Sequence, residues 1–279
     1  MPRLTIVIVT YNSVGHIGGC LTSLTQNRPA VEHETIVVDN ASHDGTSDLV
    51  RREWPGVRGI DAGRNLGFAA ANNLGIRQTS GEFILLLNPD TVIPAGSVDA
   101  LIACLDARRD AAIVGPRLVG EDNRVEVSFG PMISPLAELR QKILVRGHDR
   151  GIGVISLYVN RLTQRSREVG WVSGACLLVR RADAEAVGLF DERYFMYTED
   201  VDFCAAVRAR GRKVLFESGT EVRHLRGRSG TSAPEATAAA YRRSQLAFYG
   251  KHHPGLVIPL RLYLKVRGLL PDTLIGPGP

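Results

Sequence analysis

The chain has 279 residues, 44% hydrophobic and 23% charged, a composition that supports a sizeable core and excludes a disordered or fibrous protein. Its 34 Lys and Arg against 29 Asp and Glu leave a net charge of +5, an excess that suits nucleotides, phosphates or an acidic membrane face as partners. No apolar run reaches the roughly 18 residues that a membrane-spanning helix needs. Four scattered cysteines, Cys20, Cys104, Cys176 and Cys204, lack the spacing of a zinc or disulfide framework and read as buried thiols in a reducing compartment. The amino terminus, MPRLTIVIVTYNS, enters a strand at once and has no cleavage signature, so a cytoplasmic location is expected.

Strand and helix signals alternate from the start. LTIVIVT (4–10) is a β-branched run of buried-strand length, followed by a helical stretch over 13–26. ETIVVD (34–39) and DGTSDLVRRE (44–53) repeat the pair. VRGID (57–61) is a short strand, NLGFAAANNLGIRQT (65–79) an Ala-rich helix, and EFILLL (82–87) a fourth strand. This order predicts an α/β fold with a parallel sheet covered by helices on both faces, and ligands at the carboxyl ends of the strands. From 120 to 167 the pattern loosens and turns basic, with Arg140, Lys142, Arg146, Arg150, Arg161, Arg165 and Arg167 among helical pieces and loops. WVSGACLLVRR (171–181) predicts a further strand, a helix opens near Thr198, KVLFE (213–217) is a strand, and the tail from Pro234 is helical.

Several strand ends carry chemistry. Asp39 ends the second strand, and Asn88 and Asp90 follow the fourth in LLLNPD. His224 follows a short strand in EVRHLRGRSG, with Arg223, Arg226 and Arg228 around it. Parallel strands would bring Asp39 and Asp90 to one edge, where a nucleotide and a metal could sit. There is no GxGxxG after the first strand and no GxxxxGK[ST], so phosphates would need a metal or basic side chains. Asn88 and Asp90 offer oxygens to a hard divalent cation, although Asn-Pro-Asp is also strong turn chemistry. In YFMYTEDVDFC (194–204) the neighbouring Glu199 and Asp200 stand among aromatic side chains, a setting that raises a carboxylate's pKa toward that of a general base. The same acids also suit the first turn of a helix capped by Thr198, and Asp202 is expected to do little more than that. His224 reads either as a metal or phosphate contact or as a structural histidine, and the adjacent His252 and His253 receive no chemical role.

VIVTYNS, VVDNASHDGT, NLGFAAANN, LLLNPD, GWVSGACLLVRR, FDERYFMYTEDVDFC and VRH occur in one order across residues 3–230. With these motifs the chain resembles family 2 glycosyltransferases of GT-A fold, and within them the bacterial rhamnosyltransferases that build cell-wall linkers and O-antigens. The resemblance implies a Rossmann-like, mostly parallel sheet over residues 1–230, with 1–115 binding the nucleotide sugar, 116–230 the acceptor, and a helical extension over 231–279. It implies an inverting transferase that uses Mg²⁺ or Mn²⁺. Thr10, Tyr11 and Asn12 would line the base and ribose pocket, Asp39 would bond the base, and Arg64, Asn65 and Gly67 would close it. Asp90 would hold the metal, with Asn88 where the family has an acid, and His224 would complete the metal site or touch the diphosphate. Asp200, beside Glu199, would be the general base, the aromatic run would form the acceptor's wall, and Trp171 and Gly174 would shape the floor.

The expected donor is dTDP-L-rhamnose and the expected acceptor a glycan or lipid-linked saccharide. UDP-galactofuranose or UDP-N-acetylglucosamine, or a non-catalytic nucleotide- or carbohydrate-binding module, are the alternatives. Residues 256–270 interleave apolar side chains with Arg261, Lys265 and Arg267, which suits either peripheral contact with the inner face of the plasma membrane or docking in a homodimer. Acids spread through the chain argue against nucleic-acid binding.

Overall fold

The computed structural model describes residues 1–225 and 234–271. The first half runs β1 (Leu4–Thr10), α1 (Ile17–Gln26), β2 (His33–Asp39), α2 (Thr46–Glu53), β3 (Arg58–Asp61), α3 (Gly67–Arg77), β4 (Phe83–Leu87), β5 (Thr91–Val92), α4 (Ser97–Ala107) and β6 (Ala111–Val119). The second half runs β7 (Phe129–Gly130), α5 (Pro135–Asp149), α6 (Gly153–Leu162), β8 (Arg167–Val169), β9 (Trp171–Val172), β10 (Cys176–Arg180), α7 (Arg181–Ala186), α8 (Glu199–Ala209), β11 (Lys213–His224), α9 (Pro234–His252) and α10 (Val257–Val266).

One mixed sheet has the order β3-β2-β1-β4-β10-β6-β11-β5, with β8 on the flank of β11, and a small second sheet pairs β7 with β9. Strands β3, β2, β1 and β4 are parallel, as the βα alternation predicts. β10 then runs antiparallel to both β4 and β6, while β6 and β11 are parallel to each other. The carboxyl ends of β1, β2, β3, β4, β6 and β11 therefore share one edge with the amino end of β10.

Every residue of β1 and of β4 is buried, because helices cover both faces of the sheet. Leu4, Ile6 and Ile8 point to the α1 and α4 side, and Val7 and Val9 to the α3 and α8 side. Each such side chain contributes about 1.5–3 kcal/mol of burial.

The predicted strand over 171–181 is two strands. β9 ends at Val172, residues 173–175 turn, and β10 starts at Cys176. Ser173 N–H donates to Ser128 O at 2.8 Å and Asn88 N–H to Ala175 O at 3.0 Å, so the interruption ties β9, the small sheet and the end of β4 together. The segment 120–167 holds two helices, α5 and α6. Their inner faces, with Leu144, Val145, Ile155 and Val159, pack on Val119, Val125 and Val127, and α5 is capped by Ser134 Oγ accepting from Ala137 N–H.

Candidate active site

The sheet register builds the first cluster. Antiparallel pairing of β5 with β11 sets Thr91 opposite His224, which places Asp90 beside that imidazole. His224 Nε2 is 3.3 Å from Asp90 Oδ1, and its Nδ1–H donates to Glu126 Oε2 at 3.2 Å. The Asn88 side-chain amide stands 3.4 Å from the same Nε2, and Leu225 N–H donates to Asp90 O at 2.9 Å. Burial pushes the His224 pKa down, but its hydrogen bonds to Asp90 and Glu126 more than offset that and hold it at about 9. Burial pushes Asp90 up, and the bond to His224 overrides it, leaving Asp90 below the usual carboxylate range. Glu126 was not anticipated from the sequence. Arg226 and Arg228 lie outside the described residues.

These residues fit a divalent cation. Nε2 faces a carboxylate oxygen and an amide, and a cation would take the place of the Nε2 proton while Glu126 keeps its hold on Nδ1–H. Among the described residues no group of three or more His, Cys, Asp or Glu side chains forms a closed metal site. An ion here would take two protein ligands with Asn88 alongside, leaving positions for phosphate oxygens, the usual arrangement for Mg²⁺ or Mn²⁺ on a nucleotide.

The second cluster is the acid pair at the start of α8. Asp200 Oδ2 accepts from Gly174 N–H at 2.9 Å and Oδ1 from Val201 N–H at 2.8 Å. Glu199 is 6% exposed, and its Oε2 has no hydrogen-bond partner among the described residues. Burial raises the pKa of both, and the adjacent Asp200 charge raises Glu199 further. Gly174 packs closely here, since a Cβ would stand 3.3 Å from the Phe68 ring and in ordinary contact with Asp200 Cβ at 3.5 Å. The 173–175 turn joins the two clusters, with Gly174 holding Asp200 and Ala175 O holding the Asn88 backbone.

The approach to α8 is built from unusual backbone. Tyr197 and Thr198 have φ of +69° and +65°, successive left-handed residues without glycine. The expected Thr198 side-chain cap is absent, because in that conformation its Oγ1 reaches no partner among the described residues. The segment is held from outside instead. Phe195 O accepts from Phe68 N–H at 2.7 Å, Met196 O accepts from Ser244 Oγ–H at 2.7 Å, and the Tyr197 ring meets Tyr241 edge-on. Tyr194 does not join an acceptor wall, being 1% exposed with its hydroxyl donating to Asp202 Oδ1 at 3.2 Å.

Asp202 does far more than favour a helix dipole. It is 2% exposed, with Lys251 Nζ at 2.7 Å and His252 Nε2 at 2.6 Å, so α9 is clamped to α8 two residues past Asp200. The adjacent histidines share the work. His252 serves Asp202, and His253 Nε2–H donates to Ile133 O at 2.8 Å.

At the far part of the same edge, Thr10, Asp39 and Asp61 align across the ends of β1, β2 and β3. Asp39 accepts from Ser42 Oγ–H at 2.5 Å, Ser42 Oγ accepts from Asn12 N–H at 2.9 Å, and Asn12 Oδ1 accepts from His43 N–H at 2.8 Å. Tyr11, Asn12 and Arg64 are exposed at this edge, whereas Thr10 is fully buried. Asn40, another residue the sequence did not single out, donates from Nδ2 to Asn65 Oδ1 at 2.8 Å and accepts from Leu66 N–H at 2.8 Å. Gly67 has φ +79°, and a Cβ there would overlap Phe195 O, so only glycine lets α3 start against the aromatic run. Trp171 stands apart from this side, packed with Met132, Tyr194, Val201 and Phe248 behind the acid pair.

The mixed sheet flanked by helices is that of GT-A glycosyltransferases. The chain belongs to glycosyl transferase family 2, whose model matches residues 5–187. It is 33% identical over 265 residues to the N-acetylglucosaminyl-diphospho-decaprenol L-rhamnosyltransferase of Mycobacterium tuberculosis, covering 90% of this chain and 85% of that protein. It is 25% identical over 215 residues to rhamnosyltransferase WbbL of Escherichia coli, covering 74% and 77%. Among solved structures, the mannosyltransferase PcManGT from Pyrobaculum calidifontis, in complex with GDP-Man and Mn²⁺, superposes with TM-score 0.61 at 18% identity over 94% of this chain and 70% of that one. TarS residues 1–349 of S. aureus with UDP-GlcNAc gives TM-score 0.58 at 19% identity over 88% and 66%. The protein is a glycosyltransferase with rhamnosyltransferase relatives.

Proposed function

We propose that the protein is an inverting transferase that moves L-rhamnose from dTDP-L-rhamnose onto a hydroxyl of a polyprenyl-diphosphate-linked saccharide. The observation that supports the chemistry is the hydrogen bond from Gly174 N–H to Asp200, whose pKa burial raises, together with the bond from Asn88 N–H to Ala175 O in the same turn. The sugar and acceptor rest on the mycobacterial relative, which carries both in its name.

Asp200 takes the acceptor hydroxyl's proton as that oxygen attacks the anomeric carbon and the bond to the diphosphate breaks. Burial keeps the pair's affinity for a proton high, and the Asp200 charge raises that of Glu199 further. Asp90 and His224, with Asn88 beside them, would hold Mg²⁺ or Mn²⁺, which when bound supplies Lewis-acid neutralisation of the leaving diphosphate. Tyr11, Asn12 and Asp39 border the base and ribose, with the buried Thr10 beneath them, Arg64, Asn65 and Gly67 closing that side and Gly174 forming the floor. Trp171 acts from behind, as part of β9, the strand that leads into the turn holding Gly174.

No helix among the described residues is long and apolar enough to cross a membrane. In α10, Ile258, Leu262 and Val266 are exposed on one stripe beside Arg261 and Lys265, which supports a peripheral contact with the bilayer that holds the acceptor. The test of the whole reading is calorimetric titration with dTDP-rhamnose, UDP-galactofuranose, UDP-N-acetylglucosamine and GDP-mannose, each with and without Mg²⁺ or Mn²⁺. Preference for dTDP-rhamnose strengthened by metal is expected. Preference for a UDP sugar would overturn the donor, and a donor affinity indifferent to metal would overturn the cation site.

A further inference from the structure

The α5–α6 hairpin carries an outward face that neither the core nor the catalytic edge uses. On α5, Leu136, Leu139 and Ile143 are 80%, 56% and 53% exposed, and on α6, Val154, Leu157 and Tyr158 are 82%, 53% and 42% exposed. Their spacing, i, i+3 and i+7 on the first helix and i, i+3 and i+4 on the second, puts each set on a single stripe. Arg140 Nη2–H donates to Tyr158 Oη at 2.6 Å and joins the two stripes into one surface. Single exposed apolar side chains are ordinary, but six on two adjoining helices form a patch that needs a partner.

The charge of this hairpin is equally one-sided. Residues 135–167 hold seven Lys and Arg against Glu138 and Asp149, an excess of five, while the rest of the chain carries 27 of each sign. The whole net charge of the protein is therefore concentrated on 33 residues. Of the two acids, Glu138 faces inward to Lys142, Tyr241 and Tyr249. Arg146, Arg150 and Arg161 are exposed around the apolar stripes. Behind Arg140 and Tyr158 a cavity of about 610 Å³ opens, with the apolar Phe129 and Val169 on its floor and Arg167 and Arg208 on its walls.

We infer that the α5–α6 hairpin is a membrane-docking element whose partner is an anionic phospholipid bilayer. Its apolar side chains enter the headgroup boundary, its arginines meet lipid phosphates, and the cavity behind Arg140 admits a phosphate headgroup. A second copy of this chain is a poor occupant, because a two-fold contact through this face would oppose one net-basic surface to another. The purpose of the docking rests on the proposed polyprenyl-linked acceptor, but the geometry that argues for it does not use the active site.

The test is flotation of the full chain with vesicles of phosphatidylcholine alone or mixed with phosphatidylglycerol, alongside calorimetric donor titration and an unfolding midpoint for each variant. The wild type should float with the anionic vesicles only. Leu139→Asn with Leu157→Asn, and separately Arg146→Glu with Arg161→Glu, should each cut the bound fraction by about tenfold or more at unchanged midpoint. Leu262→Asn with Val266→Asn in α10 should cut it less. The inference is overturned if the wild type ignores anionic vesicles, if both hairpin variants still float, if only the α10 variant loses binding, or if the hairpin variants dissolve a dimer instead. Vesicle binding that fails while donor binding persists removes this inference alone. Donor binding that fails while vesicle binding persists removes the transferase reading alone.

Discussion

Lys251 Nζ lies 2.7 Å from Asp202 Oδ2, joining the end of α9 to the first turn of α8 two residues beyond the proposed base. Asp202 is almost fully enclosed, with Tyr194 and His252 on its other oxygen, so its charge has no access to water. Removing one partner of such a buried network leaves a desolvated charge or orphaned donors. Asp202→Ala is expected to cost about 3–5 kcal/mol in denaturant unfolding. Lys251→Met should cost less, because His252 still answers Asp202. If the clamp also sets the 197–200 turn, Lys251→Met lowers kcat with little change in donor affinity, a split that steady-state kinetics with calorimetry reads directly.

Asp200→Asn keeps the shape but gives up the proton acceptor, and its single amide oxygen can accept from only one of the Gly174 and Val201 N–H groups. Turnover should fall by roughly 10²–10⁴ while nucleotide-sugar binding stays intact. Because burial raises the Asp200 pKa, the acid limb of the wild-type rate profile should lie above the ordinary aspartate range, with activity rising as pH rises through it. Full activity in Asp200→Asn would remove the base assignment.

Glu199 makes a prediction about stability. Its folded pKa is raised well above 4.5 by burial and by Asp200, so the native state holds the proton more tightly than the unfolded chain does. The stability linked to that proton is present below pH 4.5 and is lost as pH rises through the folded pKa. Glu199→Gln avoids the loss. Its melting temperature should match the wild type in acid and exceed it increasingly toward neutral and alkaline pH.

Glu126 fixes the Nδ1–H of His224, and so the nitrogen that faces Asp90. Glu126→Gln should weaken Mn²⁺ affinity by about 10–100-fold, measured by calorimetry in the presence of nucleotide, without displacing Asp90.

Gly67→Ala should destabilise the fold by about 1–3 kcal/mol, since it forces a left-handed alanine against the Phe195 carbonyl. Thermal unfolding checks this, and donor binding should weaken in parallel because Asn65 anchors the same loop.

The β-branched and leucine runs of β1, β2 and β4 announced the parallel half, since strands buried on both faces read as continuous apolar stretches. Asp90 and His224 were legible as strand-end residues, although their contact depends on the two-residue pairing of β5 with β11, which no local pattern encodes. β10 read as a strand, but its antiparallel direction is set by partners 89 and 64 positions away in the pairs Leu87–Cys176 and Val114–Leu178. Glu126 sat in a stretch without periodicity. Asp202 looked like dipole chemistry because its true partners, Lys251 and His252, are 49 and 50 residues on. The left-handed Thr198 was hidden for the opposite reason. Threonine before two acids is a strong capping pattern, and the tertiary ties of Phe195 and Met196 override it.

The antiparallel insertion of β10 has a consequence for how the molecule could be divided. β4 hands its open edge to a strand that arrives about 90 residues later, and β10 passes the pairing on to β6, which precedes it in the chain. The first and second halves of the chain are thus interlaced by the order of strands instead of being joined by a linker. A split-protein version cut near residue 120 would expose the backbone of β4 and β6 together on the first fragment, and complementation would require the second fragment to thread β10 between them. Exchange of acceptor specificity between relatives is therefore expected to succeed through the loops and helices at the strand ends, and to fail by swapping contiguous halves.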